Sequence, residues 1–401
     1  MRRFAVITLI LFFLFLSFPQ AILANDTAKE LNQLNSQFEE LYQIGDLNGA
    51  LEVAEKSLEL AEKTFGENNP YVVATLENMA RIFRYRGDYY QSGQLTRRSL
   101  AISERIWGKD DPQVAVSMSN LADLLMSQGD FSEAETLLTK SIKILEQDPK
   151  NTHQDLSVAL NNLGKVYTLQ GKYLEAEPLY RRSIALSEET LGPGHSTVAR
   201  GKNNLAELLA LQGKFSTAGL LCRQSLEILE KNLGPEHPDL ATPLDNLAGV
   251  YLRQGLYDKA EPLFLRSKSI LEKTLGPEHP FLASNLNNLA ILYGSKKDYP
   301  KAEAYAIRAL NILDNTMGPE HPNVAIGKNN LGELYLIQGK LASAESLFLE
   351  SLQIIKKTLG SEHLYVATIL ENLAIVFRHT NREKKAQEFE KQAANIRSKF
   401  E

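Results

Sequence analysis

Apolar residues recur along this chain at the three- and four-residue spacing of amphipathic helices, and the recurrence comes in pairs. In "NNLAILYGSKKDYPKAEAYAIRALNILDNTMG", residues 287–318, Leu289, Ala290, Leu292 and Tyr293 make one apolar stripe. After a short polar stretch, Ala302, Tyr305, Ala306, Ala309, Leu310 and Ile312 make a second. The pattern predicts a unit of two helices, A and B, joined by a tight turn.

The unit repeats with a period of 42 residues. Gly45, Gly87, Gly129, Gly171, Gly213, Gly255 and Gly339 fall on one column, with Lys297 and Asn381 in the two remaining places. Two residues later comes a mostly aromatic column: Tyr89, Phe131, Tyr173, Phe215, Tyr257 and Tyr299, with Leu47 and Leu341 as smaller members. Five residues after the glycine, Ala50, Ser92, Ala134, Ala176, Ala218, Ala260, Ala302, Ala344 and Ala386 form a small-residue column that lets two helices approach closely. A fixed period of this length marks stacked supersecondary units, which overrides the two or three globular domains that 401 residues would otherwise suggest. Glycine at the turn takes the left-handed backbone that ends helix A, and Asn381 tolerates it. Lys297 does so poorly, so its turn is expected to be strained or differently shaped.

These columns resemble those of tetratricopeptide repeats, which place Leu, Gly or Ala and Tyr on helix A and then Gly-x-aromatic-x-x-Ala at the turn. "NNLGKVYTLQGKYLEAEPLYRRSIALSEETLGPGH", from Asn161, is similar to the 42-residue variety of kinesin light chains. The resemblance runs from about residue 27 to 400 through nine consecutive units. It implies an all-α fold, a right-handed α-α superhelix (a solenoid) of about nine helix hairpins, with helix A lining the concave surface. The first unit has Ser36, Gln37 and Phe38 where later ones have "NLA", and the last has Glu383 in the aromatic column and a charged helix B. Both read as polar caps on the array.

One column has no exception in the eight full units: Asn78, Asn120, Asn162, Asn204, Asn246, Asn288, Asn330 and Asn372. At about 100° per residue, the apolar positions of helix A cluster about 150° away from it, so the Asn projects from the face opposite the hairpin's own core. Two compatible readings stay open. The amides can pair the main chain of an extended peptide whatever its sequence, and the matching position in tetratricopeptide proteins often contacts bound peptide. Alternatively each Asn ties neighbouring A helices together. Variable residues on the same stripe would set specificity, among them Arg81, Tyr85, Asp123, Lys165, Arg200, Glu207, Arg253, Glu333 and Arg378. Their mixed signs argue against one highly charged ligand. Arg200 and Lys165 do not complete the clamp with which chaperone-binding relatives hold a terminal carboxylate.

Composition narrows the function classes. There are 44 basic and 49 acidic residues, and without Arg2 and Arg3 the remainder carries a net charge of −7, unsuited to phosphate backbones or anionic lipid. Those two arginines open a predicted export signal over residues 1–24: "MRR", the apolar run "FAVITLILFFLFLSF", Pro19, and "AILA" before "NDT". The run is too short for a bilayer span and Pro19 interrupts it, so a retained anchor is the lesser reading. The destination is then periplasmic or secreted, with residues 25–401 as the array. Cys222 is the only cysteine, so no internal disulfide forms, and its column otherwise holds Leu138, Tyr180, Phe264 and Phe348, which makes it a core residue. No catalytic or metal motif occurs; the doubled "GKNNL" lacks the glycine loop of a phosphate site, and the Glu188–Glu189 pair reads as a solvated face. An exported hydrolase is the alternative, without recognised catalytic residues. RNA-reading helical arrays would need basic, shorter units. The leading expectation is a monomeric, cofactor-free scaffold for a protein or peptide partner.

Between units lies "LGPEHP", at residues 233–238 and again at 275–280, with variants from "FGENNP" to "LGSEHL". Gly ends helix B, the first Pro blocks its continuation, and the second suits the first turn of helix A. The residue before that Pro is then the N-cap: Asn69, Asp111, and His at 153, 195, 237, 279, 321 and 363. A neutral imidazole can accept the capping hydrogen bond, so acid could loosen the joints together. Equivalent positions on stacked helices lie on the order of 8–10 Å apart, too far for two imidazoles to share a metal.

Overall fold

The computed structural model describes residues 25–399 apart from 43 and 87; the expected export signal lies outside the described residues. The described chain is helical. Helix α1 covers 25–42 and is followed by α2 (Leu47–Phe65), α3 (Pro70–Tyr85), α4 (Tyr89–Trp107), α5 (Pro112–Gln128) and α6 (Phe131–Leu145). Next come α7 (Pro149–Leu169), α8 (Tyr173–Leu191), α9 (Ser196–Leu211), α10 (Phe215–Leu233), α11 (Ala241–Arg253) and α12 (Tyr257–Leu275). The last six are α13 (Pro280–Ser295), α14 (Tyr299–Met317), α15 (Pro322–Ile337), α16 (Leu341–Thr358), α17 (Leu364–His379) and α18 (Glu383–Arg397). Odd numbers are A helices and even numbers B helices. Contacts group the chain into two compact units, 1–121 and 122–401, divided inside α5.

In the first unit α3 packs along α4 and against α2. In the second, each A helix from α7 to α17 packs along the B helix after it, and each B helix meets the next A helix. Successive A helices also touch, α7 with α9 through to α15 with α17, whereas no successive B helices pack comparably among the described residues. The A helices therefore form the inner side of this stack. Its core runs as a series of apolar clusters, one holding Leu282, Leu289, Leu313 and Val324, another Phe348, Leu370 and Phe377. All nine members of the small-residue column are buried. Facing positions are matched in size: a Cβ at Gly332 would lie 2.7 Å from the Phe348 ring, and one at Gly164 would lie 3.0 Å from the Tyr180 ring. At the far end, α18 buries only Ala386, Ala393 and Ile396, as a terminal cap requires.

The turn at Lys297 keeps the common shape. Lys297 has φ 61°, and Asp298 N donates to Tyr293 O at 2.9 Å, the counterpart of Lys214 N to Leu209 O at 2.8 Å beside Gly213. Strain replaces a change of geometry, at roughly 1–2 kcal/mol for a left-handed residue with a Cβ. Asn381 takes the same region with φ 57°.

The junction between units is more demanding. Gly234 has φ 89° and ψ 165°, a region essentially closed to other residues, and its N–H donates to Glu230 O at 2.9 Å. The following cap then forms as the sequence predicts. Asn69 Oδ1 accepts from Val72 N at 3.1 Å and Asp111 Oδ1 from Gln113 N at 2.8 Å. The Nδ1 atoms of His195, His237, His279, His321 and His363 accept backbone N–H groups at 2.9–3.2 Å. His153 is a correction. Lys150 stands where other junctions have glycine, so α6 stops at Leu145 and α7 starts early at Pro149, leaving His153 inside the helix.

Candidate functional site

The Asn column joins neighbouring A helices. Nδ2 of Asn78 donates to Asn35 Oδ1 at 2.9 Å, Nδ2 of Asn204 to Asn161 Oδ1 at 2.9 Å, and Nδ2 of Asn372 to Asn329 Oδ1 at 3.0 Å. Each partner stands 43 residues upstream, one place before the Asn column of the preceding unit. Asn120 makes the corresponding hydrogen bond to Glu77. Asn162, Asn246, Asn288 and Asn330 are half-buried on the same face. The connecting role is thus visible at four positions, and each such amide keeps further capacity for a second partner.

The signal that sequence reasoning missed is the column directly before the Asn. Glu77, Ser119, Asn161, Asn203, Asp245, Asn287, Asn329 and Glu371 are all polar. Burial pushes the Glu77 carboxyl up despite hydrogen bonds from Ser99 and Ser117 at 3.1 Å. Burial pushes Asp245 up to about 7, against a bond from Asn285 Nδ2 at 2.7 Å. These carboxyls lie beneath the A-helix face and organise it from behind.

The variable stripe divides by what its members already hold. Arg81 pairs with Glu39 at 2.6 Å and sits 4.4 Å from the Tyr42 ring centre; Arg378 pairs with Glu390 at 2.8 Å. Glu333 accepts from Asn329 at 2.8 Å and Asn372 at 2.9 Å. Lys165, Arg200, Glu207 and Arg253 are exposed, and none forms an ion pair among the described residues. The same stripe carries exposed apolar side chains that the charged candidates overshadowed: Val158, Leu169, Leu211, Ile291, Ile375 and, at 67% exposure, Ile337. Period and face together were enough to find them.

Arg200 and Asn204 meet at a cavity of about 490 Å³ bounded by α7, α9, the start of α11, and B-helix residues Ser183, Ser225 and Leu229. Pro243, which lacks an N–H, and Gly201 border it, and a 3₁₀ turn, Pro238–Leu240, precedes α11. A second overlooked column, Ser57, Ser99, Ser141, Ser183, Ser225, Ser267 and Ser351, is buried throughout. Ser183 donates to Ser157 O at 2.7 Å and Ser351 to Ala325 O at 2.7 Å, but Ser225 Oγ has no partner among the described residues. Neither has Asn203 Oδ1, although Asn203 is only 5% exposed. Each unpaired buried group costs about 1–3 kcal/mol.

Cys222 is fully buried and burial raises its thiol to about 12, the behaviour of a packing residue. Among the described residues no three His, Cys, Asp or Glu are placed to hold a metal ion, and no helix is long and apolar enough to cross a membrane.

Stacked A/B hairpins with glycine turns and an inner face of A helices define a helical repeat array. The tetratricopeptide repeat model matches residues 41–91, 72–147, 155–231, 197–271, 240–315, 294–354 and 323–399, and the chain belongs to that family. None of the curated proteins matches it significantly. Among solved structures, a Rap protein complexed with Competence and Sporulation Factor is similar over 93% of this chain and 99% of its own, at 15% identity and TM-score 0.60. Apo RapI covers 71% of this chain and 98% of its own, at 16% identity and TM-score 0.51. A putative kinesin light chain from Podosopora anserina with nearly identical TPR-like repeats covers 51% of this chain and 97% of its own, at 27% identity and TM-score 0.42.

Proposed function

We propose that this protein is a non-enzymatic scaffold whose A-helix face holds an extended segment of a partner protein. The observation that carries the reading is the inner stripe from α7 to α17, where unpaired Lys165, Arg200 and Arg253 alternate with exposed Leu169, Leu211 and Ile337. Apolar knobs supply contact area, and the fixed amides beside them suit a peptide main chain. Support also comes from the Rap protein of similar fold, solved complexed with Competence and Sporulation Factor.

The test is crosslinking in native cells with the parent chain and a variant carrying Lys165→Glu, Arg200→Glu and Arg253→Glu. The variant should melt with the parent and lose the recovered partner. Equal recovery by both would sink the reading. We further propose export as a monomer after cleavage behind Ala24; the native protein should then begin at Asn25 by N-terminal sequencing.

A further inference from the structure

The second unit comes round on itself at one point. A Cβ built on Gly129, in the turn between α5 and α6, would lie 2.5 Å from Cδ2 and 2.7 Å from Nε2 of His363, the N-cap of α17, with α6 to α16 between them in the chain. The turn glycines Gly171, Gly213, Gly255 and Gly339 have nothing within 4 Å of that position. The imidazole is fixed where it lies: Nδ1 accepts from Tyr365 N at 3.1 Å, and the ring stacks on Tyr365 at 5.4 Å between centres. Gly129 thus serves a close approach as well as its left-handed φ of 78°.

A second irregularity lies near the middle of the stretch so closed. Elsewhere in the unit a glutamate on each B helix pairs with a cation at the following A–B turn: Glu135–Lys172 at 3.4 Å, Glu177–Lys214 at 3.2 Å, Glu261–Lys296 at 2.6 Å, Glu303–Lys340 at 2.9 Å, and then Glu345 with Arg382. Between α10 and the next hairpin the two positions hold Gly219 and Leu256, so this rung is missing. The opposite edge of that joint stays pinned, by Glu230–Arg266 at 2.6 Å and by Glu236 with Lys273. On the A-helix side there is room, in the cavity bounded by α7, α9 and the start of α11. One edge tied, the other free and space alongside make a hinge. Exposed ion pairs are individually weak, so the missing rung directs motion to this joint without unfolding it.

We infer that the second unit is a clamp: it pivots at the joint between α10 and α11, and the His363 ring seated on Gly129 closes it around a segment on the A-helix face. What the clamp encloses rests on the scaffold reading above. Its motion is measured without a partner, so the two fail separately.

Spin labels at Thr136→Cys on α6 and Gln353→Cys on α16, both exposed, report the gap in the full chain by pulsed dipolar spectroscopy, with Cys222 buried from the reagent. The parent should give one short, narrow distance distribution. Gly129→Asn keeps a left-handed turn, as Asn381 does, but crowds the ring; His363→Asn keeps a cap, as Asn69 does, but withdraws the ring. Both should shift the distribution to longer distances with helicity unchanged. Gly213→Asn, with open space at its Cβ, should leave it in place. Adding the rung with Gly219→Glu and Leu256→Lys should reduce the shift that Gly129→Asn causes. A parent as long and broad as both variants, or an equal shift from Gly213→Asn, overturns the closure. An undiminished shift with the rung present overturns the hinge. In native-cell crosslinking, His363→Asn should lose most of the recovered partner although Lys165, Arg200 and Arg253 remain; recovery equal to the parent overturns the enclosing role.

Discussion

Asn204 on α9 donates from Nδ2 to Oδ1 of Asn161 on α7 at 2.9 Å, so an invariant column of the repeat is also a rung between helices. Asn204→Ala should lower stability by about 1 kcal/mol, seen as faster amide exchange in α7 and α9. Asn288→Ala, where the structure shows no such bond, should cost less. Equal losses would remove the distinction between rung and free amide.

Lys297→Gly should stabilise the array by about 1 kcal/mol, the strain relieved less the added freedom of the unfolded chain. Gly234→Ala should lose roughly 2 kcal/mol, although a Cβ there meets nothing within 4 Å, because the penalty lies in the backbone. Urea unfolding of both variants measures the pair, and a destabilised Lys297→Gly would refute the strain assigned to that turn.

Burial raises the Asp245 carboxyl to about 7, above its unfolded value near 3.9, so the native state binds the extra proton. Its contribution is fully present below the unfolded pKa and is lost as pH rises through about 7. Asp245→Asn should therefore raise Tm more at pH 8 than at pH 5. A shift independent of pH would place that carboxyl in solvent.

The histidine caps have the opposite sign. Burial lowers the His279 and His363 imidazoles, and an Nδ1 that accepts a backbone N–H must be unprotonated. Their contribution is present above the unfolded value of about 6.5 and is lost as pH falls below it toward the folded pKa. His279→Asn keeps a capping acceptor that does not titrate in this range. In an Asp245→Asn background it should show a smaller fall in Tm between pH 7 and 5 than the same chain with His279; an equal fall would exclude the cap as its source.

With its thiol raised to about 12, Cys222 should resist alkylation in the folded chain and react on denaturation. Rapid native labelling would contradict the packing seen around it.

The repeat was legible because local chemistry is written once per unit. Turn glycines, the small column, the Cys222 environment and the histidine caps all depend on neighbours a few residues away or on one facing position. His153 misled for the same reason: the cap needs a glycine three residues earlier, and Lys150 cannot replace it. The rungs were half legible, since Asn204 and Asn161 appear in the text but their meeting depends on how two units superpose. The cavity was not legible. Among the described residues Ser225 lacks the carbonyl partner that Ser183 and Ser351 have, a difference that no column records.

Apart from the one at Lys150, the junctions are closed by short stretches of their own chain: a glycine, most often a proline, and a cap reaching only two or three residues ahead. A whole unit could therefore be duplicated or excised in the coding sequence and leave the chemistry of every remaining joint unchanged. Array length is open to variation by recombination, whereas an insertion of one residue displaces every column after it.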